Sequence, residues 1–157
     1  MRKDCVLLYI FLFISILNGQ RVVGYYPQWV QNTLTPDKID YDVITHVIHS
    51  FAWPDEEGNI QHYDNMLFQS LNNTVHENGA KIMLALGGWG QCWGFASSIS
   101  TPELREIFID NIISICETYG YDGIDIDWEQ PSNVTEKNNL TSFVAELREA
   151  FDTIYPD

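Results

Sequence analysis

The sequence predicts an α/β protein built on a parallel sheet. Four short runs rich in Val and Ile recur along the 157 residues, and amphipathic helical stretches follow most of them. The runs carry few polar breaks, as strands covered on both faces do. Glycines punctuate the helical stretches where helices would stop.

The first strand is expected over residues 21–26 (RVVGYY), the second over 43–52, the third over 81–86 and the fourth over 121–128. Between the first two, Thr35 to Ile39 supports only a turn or two. A helix is expected from about residue 64 to 78, with Gly79 ending it. The third strand runs into Gly87-Gly88 and a loop rich in Gly and Ser. A helix then starts near Ser100 or Thr101, with Pro102 in its first turn; Ser100 and Glu103 have capping-box spacing. Phe108, Ile112, Cys116 and Tyr119 share one face of it, and Gly120 is placed to end it. A last helix is expected over about 136–155, halted by Pro156.

No G-x-G-x-x-G follows the first strand, so the open dinucleotide-binding arrangement lacks its phosphate signal. A closed barrel is the alternative. Residues 21–157 hold four strand–helix units of about 34 residues each, whereas a complete eight-unit barrel takes about 250. The expectation is half of such a barrel, with unpaired edge strands through which the chain could self-associate.

Charge excludes some partners. Eight basic residues face 22 acidic ones, a formal net charge of −14. Nucleic acid and anionic membrane surfaces would be repelled. Arg2 and Lys3 precede an apolar run from Val6 to Leu17, broken only by Ser15, with Gly19 after it. That fits a secretory signal and falls short of the ~20 residues of a membrane helix. The expected organisation is a signal peptide over 1–19 and a secreted, extracellular unit over 20–157, free of the membrane once the signal is cleaved. Sequons at Asn72, Asn133 and Asn139 permit N-glycans there. Cys5 falls in the leader. Cys92 follows the third strand, and Cys116 sits about 20 Å along the next helix, so no disulfide is expected between them.

The sharpest feature is Asp122-Gly123-Ile124-Asp125-Ile126-Asp127-Trp128-Glu129. Residues two apart share one face of a strand, so Asp125, Asp127 and Glu129 project together at ~7 Å spacing. Ile124, Ile126 and Trp128 point the other way, towards helices. A barrel interior is normally apolar. Three carboxylates facing into it repel one another and raise each other's pKa, a strain that folds tolerate mainly where chemistry uses it. Glu129 is nearest the C-terminal end of the strand, where barrel active sites lie, and is the candidate general acid. Asp127 would be its partner and Asp125 would lie deeper.

Asp-Gly-x-Asp-x-Asp-x-Glu resembles the signature of glycoside hydrolase family 18, the chitinases and their relatives. Val22-Val23-Gly24-Tyr25-Tyr26 followed by Trp29 resembles that family's first strand. Ile44-Thr45-His46-Val47-Ile48 leading to Ser50-Phe51-Ala52 resembles its second. Leu84-Ala85-Leu86-Gly87-Gly88-Trp89 resembles its third, with Ala85 where many members have Ser. The resemblance runs from residue 21 to 157 and implies the N-terminal half of a (β/α)8 catalytic domain. It implies a retaining, substrate-assisted hydrolase that cleaves β-1,4 bonds between GlcNAc units of chitin, an exception to the two-carboxylate schemes. Glu129 would donate the proton, Asp127 would hold the substrate's acetamido group, and Asp125 would share a proton with Asp127. Tyr25, Trp29, Phe51, Gly88 and Trp89 would line the sugar site, with Trp53 and Trp93 as further loop aromatics. No cofactor and no metal is implied. An endo-β-N-acetylglucosaminidase acting on N-glycans and an inactive chitin-binding fragment are the alternatives.

Overall fold

The computed structural model describes residues 20–155, so the leader expected over 1–19 lies outside the described residues. Its strands are β1 (Val23–Pro27), β2 (His46–Pro54), the two-residue β3 (Ile60–Gln61), β4 (Lys81–Gly87) and β5 (Gly123–Asp127). Four of them form a parallel ribbon in the order β1-β2-β4-β5, and β3 folds back antiparallel on β2. The helices are α1 (Gln69–Glu77), the single-turn α2 (Phe95–Ser98), α3 (Pro102–Tyr119) and α4 (Val134–Ile154). Short 3-10 turns occupy Gln28–Val30 and Pro36–Lys38. Among the described residues, no helix is long and apolar enough to cross a membrane.

Alternation along the strands divides the sheet into two faces. On β4, Ile82, Leu84 and Leu86 are fully buried in one cluster with Phe108, Ile112 and Phe143 from the helices. Phe108 stacks on Phe143 with centroids 5.0 Å apart, joining α3 to α4. Arg105 and Glu146 reinforce that contact with hydrogen bonds of 2.7 and 2.8 Å from Nε and Nη2. On β5, Ile124 and Ile126 face Val144, Leu147 and Phe151 of α4. The opposite face carries Tyr25 and the acids, and there Val23 and Tyr25 are about half exposed.

The helix ends follow local chemistry. Pro102 has no N–H to give and takes the first helical position, which makes Thr101 the N-cap. Thr101 Oγ1 accepts from the Leu104 amide at 3.3 Å, so the cap is Thr101 and not Ser100. Asn133 caps α4 by accepting from the Glu136 amide at 3.0 Å, while the Glu136 carboxylate reaches back to the Ser132 amide at 2.6 Å. That box starts α4 two residues earlier than expected. Gly120 closes α3 in the left-handed region, φ 79°, donating to the Cys116 carbonyl at 2.7 Å.

Three expectations are corrected. The helix expected from residue 64 begins at Gln69, because Asn65 turns the chain left-handed at φ 58°. The second strand runs on to Pro54 and into a hairpin with β3. Asp55 builds that turn, its carboxylate accepting from the amides of Glu57 and Asn59. The sequon asparagine Asn72 lies on the buried face of α1 at 1% exposure, so a folded chain offers no glycan acceptor there. Asn133 is exposed and Asn139 partly so. Cys92 and Cys116 are both free thiols, with Cys116 in the core.

Candidate active site

The ladder between β4 and β5 places Ala85 beside Asp125 and Gly87 beside Asp127. β5 ends at Asp127, so Trp128 and Glu129 lie just past the sheet at the C-terminal end of the strands. Trp128 turns towards the helices and stacks on buried Phe95, centroids 5.4 Å apart and planes 13° apart. The alternation expected across 124–128 is therefore present.

Tyr25 reaches across the open face and donates its hydroxyl to Asp125 Oδ2 at 2.7 Å. Its hydroxyl is thus engaged with the acid ladder, and Tyr25 bridges β1 to β5. Ala85, next to Asp125, has no hydroxyl to offer. Burial, the bond to Asp125 and the negative charge of Asp125 and Asp127 push the Tyr25 phenol up to about 12. Partial burial and the neighbouring Asp125 charge also raise the Asp127 carboxyl.

An aromatic wall stands beside the acids. Phe51 lies 6.1 Å from the Tyr25 ring and stacks on Trp29 at 6.4 Å and 27°. A register shift between His49 and Ala52 adds one residue to β2 against β4, and Phe51 sits in it. Gly88, at φ 81°, comes so close that an added Cβ would lie 2.9 Å from the Phe51 ring. At Gly87, φ 112°, a Cβ would lie 2.2 Å from the Asp127 carbonyl oxygen. Both glycines are needed where the β4 loop crosses the acid-bearing strand. Trp89 stands 90% exposed beyond them, and Trp29 and Trp93 are also exposed. Trp53 packs edge-on against Tyr63 at 5.1 Å. The structure thus gathers Tyr25, Phe51 and Trp29 with Asp125 and Asp127, and brings Gly88 against Phe51. Trp89 touches none of these rings in a stacking pair.

Cys92 is the participant that the sequence reading missed. Its sulfur lies 3.3 Å from the carbonyl oxygens of Gly88 and Asp127, and the Glu129 amide donates to it at 3.2 Å. Its nearest signal in the sequence is its place four residues after Gly88, which alone says nothing of residues 35 and 37 positions away.

Residues 21–155 match the family model described as Glycosyl hydrolases family 18. Chitotriosidase-1 from Mus musculus is 32% identical over 155 residues, an alignment that covers 89% of this chain and 33% of the mouse protein. The crystal structure of a GH18 chitinase from Cycas revoluta in complex with (GlcNAc)3 superposes with a TM-score of 0.73 and 26% identity, covering 83% of this chain and 42% of that one. The chitinase-like agglutinin RobpsCRA from Robinia pseudoacacia superposes with a TM-score of 0.74 and 28% identity, covering 83% and 41%. The class is therefore that of parallel α/β barrels. The chain belongs to glycosyl hydrolase family 18, and its four parallel strands form part of that family's barrel. It spans less than half the length of these relatives.

Proposed function

We propose that residues 20–157 are the acid-bearing N-terminal half of a retaining, substrate-assisted chitinase domain. The carrying observation is the ladder of Asp125 and Asp127 leading to Glu129, tied across the sheet by the Tyr25–Asp125 hydrogen bond. Glu129 protonates the glycosidic oxygen between two GlcNAc units. The acetamido oxygen of the departing bond's own sugar attacks the anomeric carbon, and the bond to the leaving sugar breaks. Asp127 accepts the acetamide N–H and offsets the positive charge of the cyclic intermediate, and Asp125 shares a proton with it. Water then opens the intermediate with the Glu129 carboxylate as base, which returns the configuration to the starting one. The raised Asp127 carboxyl fits a group that holds a proton for part of the cycle.

The rings of Trp29, Phe51 and Trp89 stack on the apolar faces of the sugars. The chain is directed outside the cell by its first 19 residues, and its substrates are chitin or GlcNAc oligosaccharides. The outer edges of β1 and β5 pair with no strand among the described residues and supply a route to self-association.

A second reading is a chitin-binding protein without hydrolysis, favoured by the likeness to the Robinia agglutinin. An endo-β-N-acetylglucosaminidase on N-glycans has no such observation behind it. Release of a fluorophore from a chitobiose glycoside, with Glu129→Gln beside the unaltered chain, tests the proposal. Release lost in the variant supports hydrolysis. Chitin pulldown without release from either protein supports the binding reading.

A further inference from the structure

Glu129 stands in an unusual place for a residue that must hold a carboxyl still. β5 ends two residues earlier, at Asp127, and the last sheet contact there is the Gly88 amide donating to the Asp127 carbonyl at 2.8 Å. No strand partner reaches the main chain of Glu129. Its amide instead donates to the sulfur of Cys92 at 3.2 Å, and that sulfur lies 3.3 Å from the Gly88 and Asp127 carbonyls. A thiol carries one proton and also accepts weakly. The Cys92 proton is shared between the two carbonyls while its lone pair takes the Glu129 amide.

The loop that carries Cys92 is itself fixed. An added Cβ at Gly94 would lie 2.0 Å from the Pro54 carbonyl oxygen, so the loop packs backbone to backbone against β2. Phe95, fully buried, stacks on Trp128. The same loop therefore grips Trp128 by its ring and Glu129 by its amide.

We propose that Cys92 is a positioning residue for Glu129: its thiol continues the β4–β5 ladder past Asp127 and sets the main chain from which the carboxyl projects. A small group attached to this sulfur would displace the Glu129 amide. The catalytic part of this inference rests on the reading of Glu129 as proton donor; the positional part does not.

The experiment separates the two. In the full chain, hydrogen exchange at single-residue resolution reads the Glu129 amide without any need for activity. In the unaltered protein this amide exchanges slowly. Cys92→Ala speeds it by about tenfold or more, Cys92→Ser keeps it within about threefold, and the β4 amides of Leu84 and Leu86 stay unchanged. An unprotected Glu129 amide in the unaltered protein, or an unchanged one in Cys92→Ala, overturns the proposal. If Cys92→Ala also loosens the β4 amides, methyl methanethiosulfonate on the unaltered protein replaces it. Cys116 is fully buried and Cys92 is partly exposed, so among the described residues Cys92 is the thiol open to reagent. Burial and the Asp127 and Glu129 charges raise the Cys92 thiol too, so the reagent is applied at alkaline pH. The methylthio group must then speed exchange at Glu129, reversibly on reduction; no change overturns the proposal. Fluorogenic chitobiose hydrolysis is read alongside. Cys92→Ala should lower kcat about tenfold or more with KM within twofold, and Cys92→Ser should recover most of it. Equal loss in kcat and rise in KM, without rescue by serine, marks a merely structural residue and overturns the positioning role. A chain in which neither unaltered protein nor Glu129→Gln hydrolyses overturns the catalytic reading and leaves the exchange result to decide the position of Glu129.

Discussion

Tyr25 shows how one hydroxyl couples two halves of the site. Its phenol is pushed up to about 12 first by burial and then by Asp125 and Asp127. Asp125→Asn removes the charge and leaves an amide oxygen that can still accept, so the phenol should titrate lower but stay above its usual 10, because burial remains. Ultraviolet titration against a Tyr25→Phe blank reads it. The two adjacent glycines should differ in kind. Gly88→Ala strains a left-handed residue and pushes on a ring that can shift, a loss of about 2 kcal/mol seen in urea unfolding. Gly87→Ala drives a methyl into the backbone of Asp127, which cannot give way, and should prevent soluble folding. The need for glycine could be read from the pair itself, since Gly-Gly after a strand marks a close turn. The partners could not, because Phe51 and Asp127 are distant in sequence. Cys92 was less visible still. A lone cysteine in a loop has no periodicity, and its role exists only when β5 lies beside it.

Among the elements, β5 was the most readable, because period-two alternation of Asp with Ile and Trp has few meanings. The β2–β3 hairpin was not, although Asp55 and Gly58 are turn-forming residues; the period changes there over too few positions to register. Helix ends followed the same divide. Pro102 and Gly120 mark their positions by backbone geometry alone, whereas Asn133 competes with other polar residues nearby for the cap. Asn133→Ala should destabilise the protein by about 1 kcal/mol in thermal unfolding, since it removes the acceptor for the Glu136 amide. Asn72 makes the opposite case. It reads as a permitted glycosylation site in sequence and lies on the buried face of α1 in the fold. Glycopeptide mass spectrometry of the folded chain, expressed through a secretory host, should find Asn72 bare, with any glycan confined to Asn133 and Asn139.

For the molecule as a whole, a residue outside the site adds to the acid dependence of stability that Asp122 and other carboxylates held below their usual range already impose. His49 is fully buried among Tyr26, Phe68, Tyr121 and Gln31, and burial pushes it down to about 4. The unfolded chain takes up this proton near pH 6.5 and the folded chain only near 4. His49 therefore contributes its full stabilisation above pH 6.5, and that contribution falls as pH drops towards 4, by about 3 kcal/mol in all. Urea unfolding at pH 7 and 4.5 should show this slope in the unaltered protein, and His49→Gln should flatten it. The variant is needed because relief of repulsion in a chain of net charge −14 acts in the opposite direction. The barrel class was available from strand spacing, and the family from four motifs in order. The buried histidine was not, since a histidine in a strand declares neither its face nor its neighbours.

The two faces of β5 bear also on how such a chain can change over generations. Ile124 and Ile126 serve the helices while Asp125 and Asp127 serve the open face, one residue each in turn. Gain or loss of a single codon within this strand would exchange the sets, placing carboxylates under α4 and isoleucines at the mouth, and both packing and chemistry would fail together. Substitutions at either face can be tried one at a time. Length cannot vary, so descent within this segment should record only replacements, with insertions and deletions displaced to the loop beyond Gln130.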